Sequence, residues 1–550
     1  MIPINRTYAP IQAFVDELAR CGMRHAVTSP GSRNAPLALT LAAQPEVEAV
    51  SVIDERSAGF VALGMAKASG RPVAVTCTSG TAAANLHPAV VEAWEARVPL
   101  VVLTADRPPE LREVGAGQAI DQLGLYGSAA KWFVEVGTHD PGRETAVHHR
   151  ALACRAYWTA LGGRPGPVHL NVALREPLAP VPEELTAADW AGRPGGGPWT
   201  ELREHASAPH ADDVHRLAGR IAGSSRGVIV CGPGAGPVAE PAARLAAQAG
   251  WPLLAEPTSG VRCGDHDRSH VVAHYDVILR AEGFRSGHRP ELVLRTGDMP
   301  TSKPLRAFVV AAPQVVIDPH AVWHEPTRRA ELMLASAAGP TLDALASAIE
   351  MRASEPDPAW LSSWRAADEL VPAALAGAPD DFEPKLLARV EPELPDEAVV
   401  WISSSMPVRD VEAWFPQSPK RIRFLANRGA NGIDGVTSSA LGAALATGLP
   451  TWLLTGELAL LHDLGGLYAA RRAGARLEIV CIDNGGGGIF DFLPVAEHAE
   501  PEQYERHVAT PAGVSVADSF DEVRVLRSDR ARNVALHREL VEQVSAQLGD

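Results

Sequence analysis

Cysteine is scarce and unpaired in this chain: six in 550 residues, at positions 21, 77, 154, 231, 263 and 481, several inside apolar runs such as VAVTCTSG and GVIVCGPG. That distribution excludes a disulfide-stapled scaffold and predicts buried free thiols in a reducing compartment. A basic excess is missing as well. The formal net charge of -16 excludes a broad nucleic-acid or anionic-membrane footprint, so any anionic ligand has to meet a local basic pocket. No uninterrupted apolar run reaches the ~18 residues of a membrane span. The opening MIPINRTYAPIQAF has no basic stretch ahead of an apolar one, so no secretory leader is expected and a cytoplasmic location is. Aromatic residues make up only 5%, and low-complexity tracts and short-period repeats are absent.

What is present is ordinary for a soluble globular protein. Hydrophobic residues make up 46% and charged residues 21%, with 48 glycines and 45 prolines to supply tight turns. The length predicts about three or four domains, each with its own core. Ile11, Phe14, Val15 and Leu18 share one helical face that Gly22 terminates, and a strand follows at His25 to Thr28. Apolar segments at 47–53, 73–76, 100–103 and 168–172 then alternate with helical stretches such as 57–68 and 82–96. This alternation predicts an α/β fold with parallel sheets flanked by helices and ligands at the C-terminal ends of the strands. Breaks in periodicity divide the chain into a first domain over 1–180, a linker over 181–212, a central α/β domain over 213–352, a linker over 353–381 and a third domain over 382–550. The glycines of GVIVCGPGAG in the central domain do not fit G-x-G-x-x-G spacing, and a tight turn is expected there.

The third domain holds the stretch around which the chain is organised, TGELALLHDLGGLYAARRAGARLEIVCIDNGGGGIF. Two apolar strands end in oxygen-bearing residues, Glu457 after one and Asp483 and Asn484 after the other. A helix between them is closed by Arg471, Arg472 and Gly474. Strand, helix, strand geometry puts Glu457 and Asn484, 27 positions apart, at one sheet edge. One carboxylate, one amide oxygen and one carbonyl from the glycine run would suit Mg2+ with room for phosphate oxygens, and bare glycines let backbone approach a phosphate. Spacing alone is equally compatible with a turn carrying a solvated Glu and a flexible glycine loop.

The spacing resembles the motif of thiamine diphosphate enzymes, a Gly-Asp pair followed downstream by Asn. The resemblance implies a thiamine diphosphate-binding fold in which the first domain is of pyrimidine-binding type and the third of diphosphate- and Mg2+-binding type. The metal ligands would be Glu457, Asn484 and the carbonyl of Gly486, with Mn2+ able to replace Mg2+. Glu55, in VIDERSAGF, would contact the aminopyrimidine N1′ and move its proton, a task that partial burial suits. The alternative role of a helix N-terminal acid falls more naturally to Asp54.

Longer strings narrow the resemblance. TSPGSRNAPLAL, TSGTAAANLHPAVVEA, LTADRPPELR, GPVHLNVALREPL and ANRGANGIDG are similar to the 2-succinyl-5-enolpyruvyl-6-hydroxy-3-cyclohexene-1-carboxylate synthase family of menaquinone biosynthesis. That family consists of thiamine diphosphate-dependent transferases that decarboxylate 2-oxoglutarate and add the succinyl unit 1,4 to isochorismate. Matching motif positions imply that Arg33, Arg107, Lys303, Arg409 and Arg428 bind the substrate carboxylates, with Ser32, Gln118 and Ser405 as polar partners. Ile433 would be the apolar wedge that bends the cofactor, and Phe490 and Leu493 would line its pocket. The resemblance also implies a homodimer or homotetramer with the cofactor between subunits.

This chain departs from the family pattern in four places. Glu457 stands where Asp is usual, Gly117 where an Asn often precedes the Gln, and Pro304 follows Lys303 where some members have a second basic residue. The segment after Phe490 is also short, as if a strand and helix of the third domain were missing. Two other readings stay open at this point: a different thiamine diphosphate-dependent 2-oxoacid decarboxylase or carboligase, and a catalytically impaired homologue with a binding role.

Overall fold

The computed structural model describes residues 4–203, 205–352 and 356–549. Its strands form three sheets. The first contains β1 (His25–Thr28), β2 (Glu48–Ser51), β3 (Val73–Cys77), β4 (Leu100–Asp106), β5 (Trp132–Glu135) and β6 (Val168–Ala173), in the order β2-β1-β3-β4-β6-β5. Every neighbouring pair is parallel. Helices on both faces bury β3, β4 and β6 at every residue, which is why they read as unbroken apolar runs rather than alternating ones.

The central sheet contains β7 (Gly227–Cys231), β8 (Leu253–Ala255), β9 (Val271–Val272), β10 (Leu292–Thr296), β11 (Gln314–Ile317) and β12 (Ala330–Leu334), in the order β12-β11-β10-β7-β8-β9. The third contains β13 (Glu397–Ile402), β14 (Arg421–Ala426), β15 (Thr451–Gly456), β16 (Leu477–Asp483) and β17 (Val523–Arg527), in the order β14-β13-β15-β16-β17. First and third sheets share one plan, second-first-third-fourth-last. Among the described residues the third lacks the outermost strand that β5 supplies in the first.

The chain clusters into two compact units. One gathers 1–204, 427–451 and 459–477; the other gathers 205–426, 452–458 and 478–550. In the first unit, Ile11, Phe14, Val15 and Leu18 of the helix Tyr8–Cys21 enter a core with β4 and β6, and Gly22 closes that helix in the left-handed conformation. The helices Glu55–Ser69 and Val436–Thr447 cross at glycines: a Cβ at Gly64 would lie 2.0 Å from the Ser439 carbonyl oxygen, and one at Gly442 would lie 2.1 Å from that of Val61.

Several local expectations are corrected. Of the segment 353–381, expected as a loose linker, 353–355 lie outside the described residues and 358–377 form a 20-residue helix, Pro358–Gly377. Its Trp360, Trp364, Ala367, Val371, Ala374 and Leu375 are buried in a core of the second unit, and this helical period is masked by alanines, prolines and acids. The stretch 82–96 is two helices, Thr81–Asn85 and His87–Glu95, because Pro88 has no N–H to continue the first. The helix between Glu457 and Asn484 is also two, Glu457–His462 and Leu464–Ala473. They part at Asp463, whose buried carboxylate accepts from the Ser438 N–H at 2.7 Å and its hydroxyl at 2.9 Å. β5 and the helix Arg143–Leu161 were not anticipated. All six cysteines are free and buried, and no helix of the described residues is long and apolar enough to cross a membrane.

Candidate active site

In the second unit the ends of β15 and β16 meet. Glu457 opens its helix at the end of β15, is 2% exposed, and its Oε1 accepts the Gly486 N–H at 2.6 Å. Gly486 has φ of 142°, and a Cβ there would lie 2.7 Å from the Ala509 carbonyl oxygen, so only glycine fits. Burial, with Asp483 and Glu383 adding to it, pushes the Glu457 carboxyl up to about 7 against the Gly486 N–H, which holds it down. Asn484 donates from Nδ2 to Glu383 Oε1 at 2.9 Å. Its Oδ1 is buried with no hydrogen-bond partner. Leaving such an acceptor unsatisfied costs about 1–3 kcal/mol, and a hard divalent cation that takes oxygen ligands would satisfy it. The donor set of carboxylate, amide oxygen and Gly486 carbonyl therefore fits Mg2+.

Ser405, on the same unit, adopts φ 70° and ψ -133° at the head of the helix Met406–Trp414, a conformation strained for any side chain. Its carbonyl accepts from Arg409 Nη1. Burial lowers the Arg409 guanidinium, opposed by Glu412, Asp410 and Asp276. Lys303 is exposed at the first position of the helix Lys303–Val309, which Ser302 caps. Phe490 and Leu493 are large apolar side chains left exposed beside the glycine run.

The first unit carries the other expected residues. Glu55 is half-buried at the first position of its helix, while Asp54 does the capping by accepting from the Arg56 N–H at 2.9 Å. Burial and then the charge of Glu55 raise the Cys77 thiol, which places Glu55 by the end of β3. Arg107, after β4, donates to the Ser79 hydroxyl, and Gln118 Nε2 donates to the Ser79 carbonyl at 3.0 Å. Gln118 has φ of 60°. Burial and then Arg33 lower the Arg107 guanidinium, with Asp106 opposing. Arg33 donates from Nη1 to the Leu174 carbonyl at 2.8 Å while its buried Nε has no partner. Ser32 beside it is exposed. Arg33, Arg107, Gln118 and the unanticipated Ser79 thus form one cationic, hydrogen-bonding cluster. Arg428 is half-buried, and its charge helps lower buried Lys67 after burial itself. The Gly429 and Ala430 N–H groups following it donate to Glu92 at 2.9 and 2.6 Å. Ile433 is half-buried ahead of Gly435, where a Cβ would lie 1.9 Å from the Phe60 ring.

Residues 11–125 match the family described as thiamine pyrophosphate enzyme, N-terminal TPP binding domain. The chain is 41% identical to the 2-succinyl-5-enolpyruvyl-6-hydroxy-3-cyclohexene-1-carboxylate synthase of Geobacillus thermodenitrificans, covering 98% of this chain and 96% of that protein. The chain belongs to this synthase family. Synthases of the same name from Chloroflexus aurantiacus and Myxococcus xanthus are 43% and 40% identical, over 92% and 98% of this chain and 86% and 97% of theirs.

Within the synthase family the matched N-terminal segment contains Ser32, Arg33, Glu55, Ser79, Arg107 and Gln118. Ser79 carried a signal, since it lies in the TSGT string directly after β3. Glu383 carried none. It stands 101 residues before Asn484, in a segment with no motif, and only the packing of the helix Glu383–Ala388 brings it to Asn484.

Proposed function

We propose that this chain catalyses thiamine diphosphate-dependent decarboxylation of 2-oxoglutarate and 1,4-addition of the succinyl unit to isochorismate, giving 2-succinyl-5-enolpyruvyl-6-hydroxy-3-cyclohexene-1-carboxylate. The observation that carries the site assignment is the unpartnered Asn484 Oδ1 one loop away from the Glu457 contact with Gly486. Bound thiamine diphosphate would supply the nucleophilic carbon and stabilise the negative charge left when CO2 departs. Glu457, Asn484 Oδ1 and the Gly486 carbonyl would hold Mg2+, or Mn2+ in its place. The Gly486 carbonyl also accepts from the Gly488 N–H and keeps a second lone pair for the cation. Glu55, relieved of capping by Asp54, holds and returns the proton of the pyrimidine nitrogen. Arg33, Arg107, Lys303, Arg409 and Arg428, with Ser32, Gln118 and Ser405, orient the carboxylates of the two anionic substrates. Ile433, Phe490 and Leu493 supply apolar walls that keep water from the reacting carbon.

The three sheets lie within 1–180, 213–352 and 382–550 respectively, which supports those ranges as the domains. A homodimer or homotetramer with the cofactor between subunits, in the cytoplasm, completes the reading; exposed apolar side chains on the first unit and six free thiols support it.

Purified protein with thiamine diphosphate and Mg2+ should consume 2-oxoglutarate only when isochorismate is present. The Glu55→Gln variant should lose about 10²–10⁴-fold in kcat while still binding the cofactor by calorimetry. Equal decarboxylation without isochorismate would indicate a different thiamine diphosphate carboligase. Absence of cofactor binding at millimolar concentration would indicate a non-catalytic homologue.

A further inference from the structure

Asn484 is an ambidextrous ligand: one end of its amide donates and the other accepts. A cation needs the oxygen. Nδ2 lies on the Gly488 side, 2.7 Å from where a Cβ there would sit, so whether Oδ1 is left free for a cation falls to whatever accepts from Nδ2. Here that is Glu383, 1% exposed, whose Oε1 accepts from Asn484 Nδ2 at 2.9 Å and from the Ser528 hydroxyl at 2.8 Å. The convergence follows from sheet register. β16 and β17 are parallel neighbours with Asp483 opposite Arg527, so the next residues, Asn484 and Ser528, emerge side by side. The Ser528 N–H donates back to the Asp483 carbonyl at 3.1 Å. Glu383 begins the helix Glu383–Ala388, and its own N–H meets Asn533 Oδ1 at 3.4 Å. Its carboxylate is thereby held by two groups, Asn484 Nδ2 and the Ser528 hydroxyl, and its backbone by a third, Asn533.

We propose that Glu383 is a positioning residue that locks the Asn484 amide with Nδ2 inward and Oδ1 toward the cation, an inference that rests on the cation site proposed above. A rotated amide would set Oδ1 against the Glu383 oxygen, acceptor against acceptor, and would turn an NH2 group on the metal. Residues that orient metal ligands in this way are typically worth about 10–100-fold in metal affinity.

The test is calorimetric titration of Mg2+ into full-length protein saturated with thiamine diphosphate, with no turnover involved. Glu383→Met keeps side-chain length and removes the acceptor, and it should weaken Mg2+ by about 10–100-fold. Glu383→Gln retains an acceptor oxygen and should recover most of that loss. In an Asn484→Ala background Glu383→Met should add no further loss, because the two act through one ligand; a general structural defect would add. Wild-type Mg2+ affinity in Glu383→Met, with Asn484→Ala weakened, overturns the role of Glu383 alone. Wild-type affinity in Asn484→Ala overturns the cation site, and the role of Glu383 with it. Glu383→Asp, which draws the acceptor back by a methylene, replaces the Met variant if that one does not fold. It should lose Mg2+ affinity toward the lower end of the same range, and wild-type affinity there overturns the proposal.

Discussion

His169 stands in β6 with its ring against those of Tyr126 and Phe133, its Nε2 2.8 Å from the Thr104 hydroxyl and its Nδ1 buried without a partner. Burial pushes it down to about 3. The native state therefore keeps it neutral while an unfolded chain takes up a proton as the pH falls through its ordinary value of about 6.5. Above that value the group contributes nothing to pH dependence. Between about 6.5 and 3 it destabilises the fold by roughly 1.4 kcal/mol for each pH unit of fall. His169→Gln should flatten the decline in urea midpoint between about pH 6.5 and 4.5 by that slope, and parallel curves would refute the assignment. Ser405 offers a test of the opposite kind. Its backbone conformation costs on the order of 1–3 kcal/mol, and Ser405→Gly should raise stability by about 1 kcal/mol after the added chain entropy of glycine. The same change deletes the hydroxyl, so it should also raise the KM if that hydroxyl contacts substrate as proposed.

At the scale of elements, the crossing of the helices Glu55–Ser69 and Val436–Thr447 fixes the face from which Glu55 projects. Gly64→Ala would drive a methyl group into the Ser439 carbonyl. Overpacking of this order costs about 3 kcal/mol, so the variant should unfold at lower urea and bind cofactor more weakly; an unchanged midpoint would mean that the helices do not approach this closely. The strands were legible in the sequence because burial on both faces writes them as continuous apolar runs, and the meeting of the Glu457 and Gly486 loops because two strand ends carry oxygen groups at motif spacing. The helix Pro358–Gly377 was not. Its tryptophans stand at 360 and 364 within an alanine- and proline-rich stretch, and only the core they enter reveals the period. Glu383 marks a second limit. A motif specifies residues that touch a ligand, while the groups that orient them arrive from elsewhere by packing. Among the described residues the third sheet ends at β17. What the structure adds is how its edge is left: β17 carries exposed Arg524 and Arg527, and charges of this kind discourage pairing with another chain. Arg524 is further held by Glu393 at 2.7 Å.

For the whole molecule, two features pull together. A chain of net charge -16 has to concentrate its cations locally to bind an anion, and Arg33 and Arg107 lie close together beside Ser79. The same unit leaves Ile53 and Val114 each 67% exposed and Leu123 51% exposed, all within a dozen residues of Glu55, Arg107 or Gln118. A folded monomer rarely leaves several large apolar side chains uncovered so near its functional groups, and burying each against a second copy would contribute about 1.5–3 kcal/mol. Sedimentation of the wild-type protein should therefore give a dimer or larger species at micromolar concentration, and specific activity should fall on dilution into the range where that species dissociates. Val114→Asp combined with Leu123→Asp should shift the dissociation to higher protein concentration, because carboxylates at an apolar contact lose hydration without gaining partners. Its unfolding midpoint as an isolated subunit should stay near that of the wild type, since both positions are already solvent-exposed. Full activity in a species that sediments as a monomer would rule out the shared site.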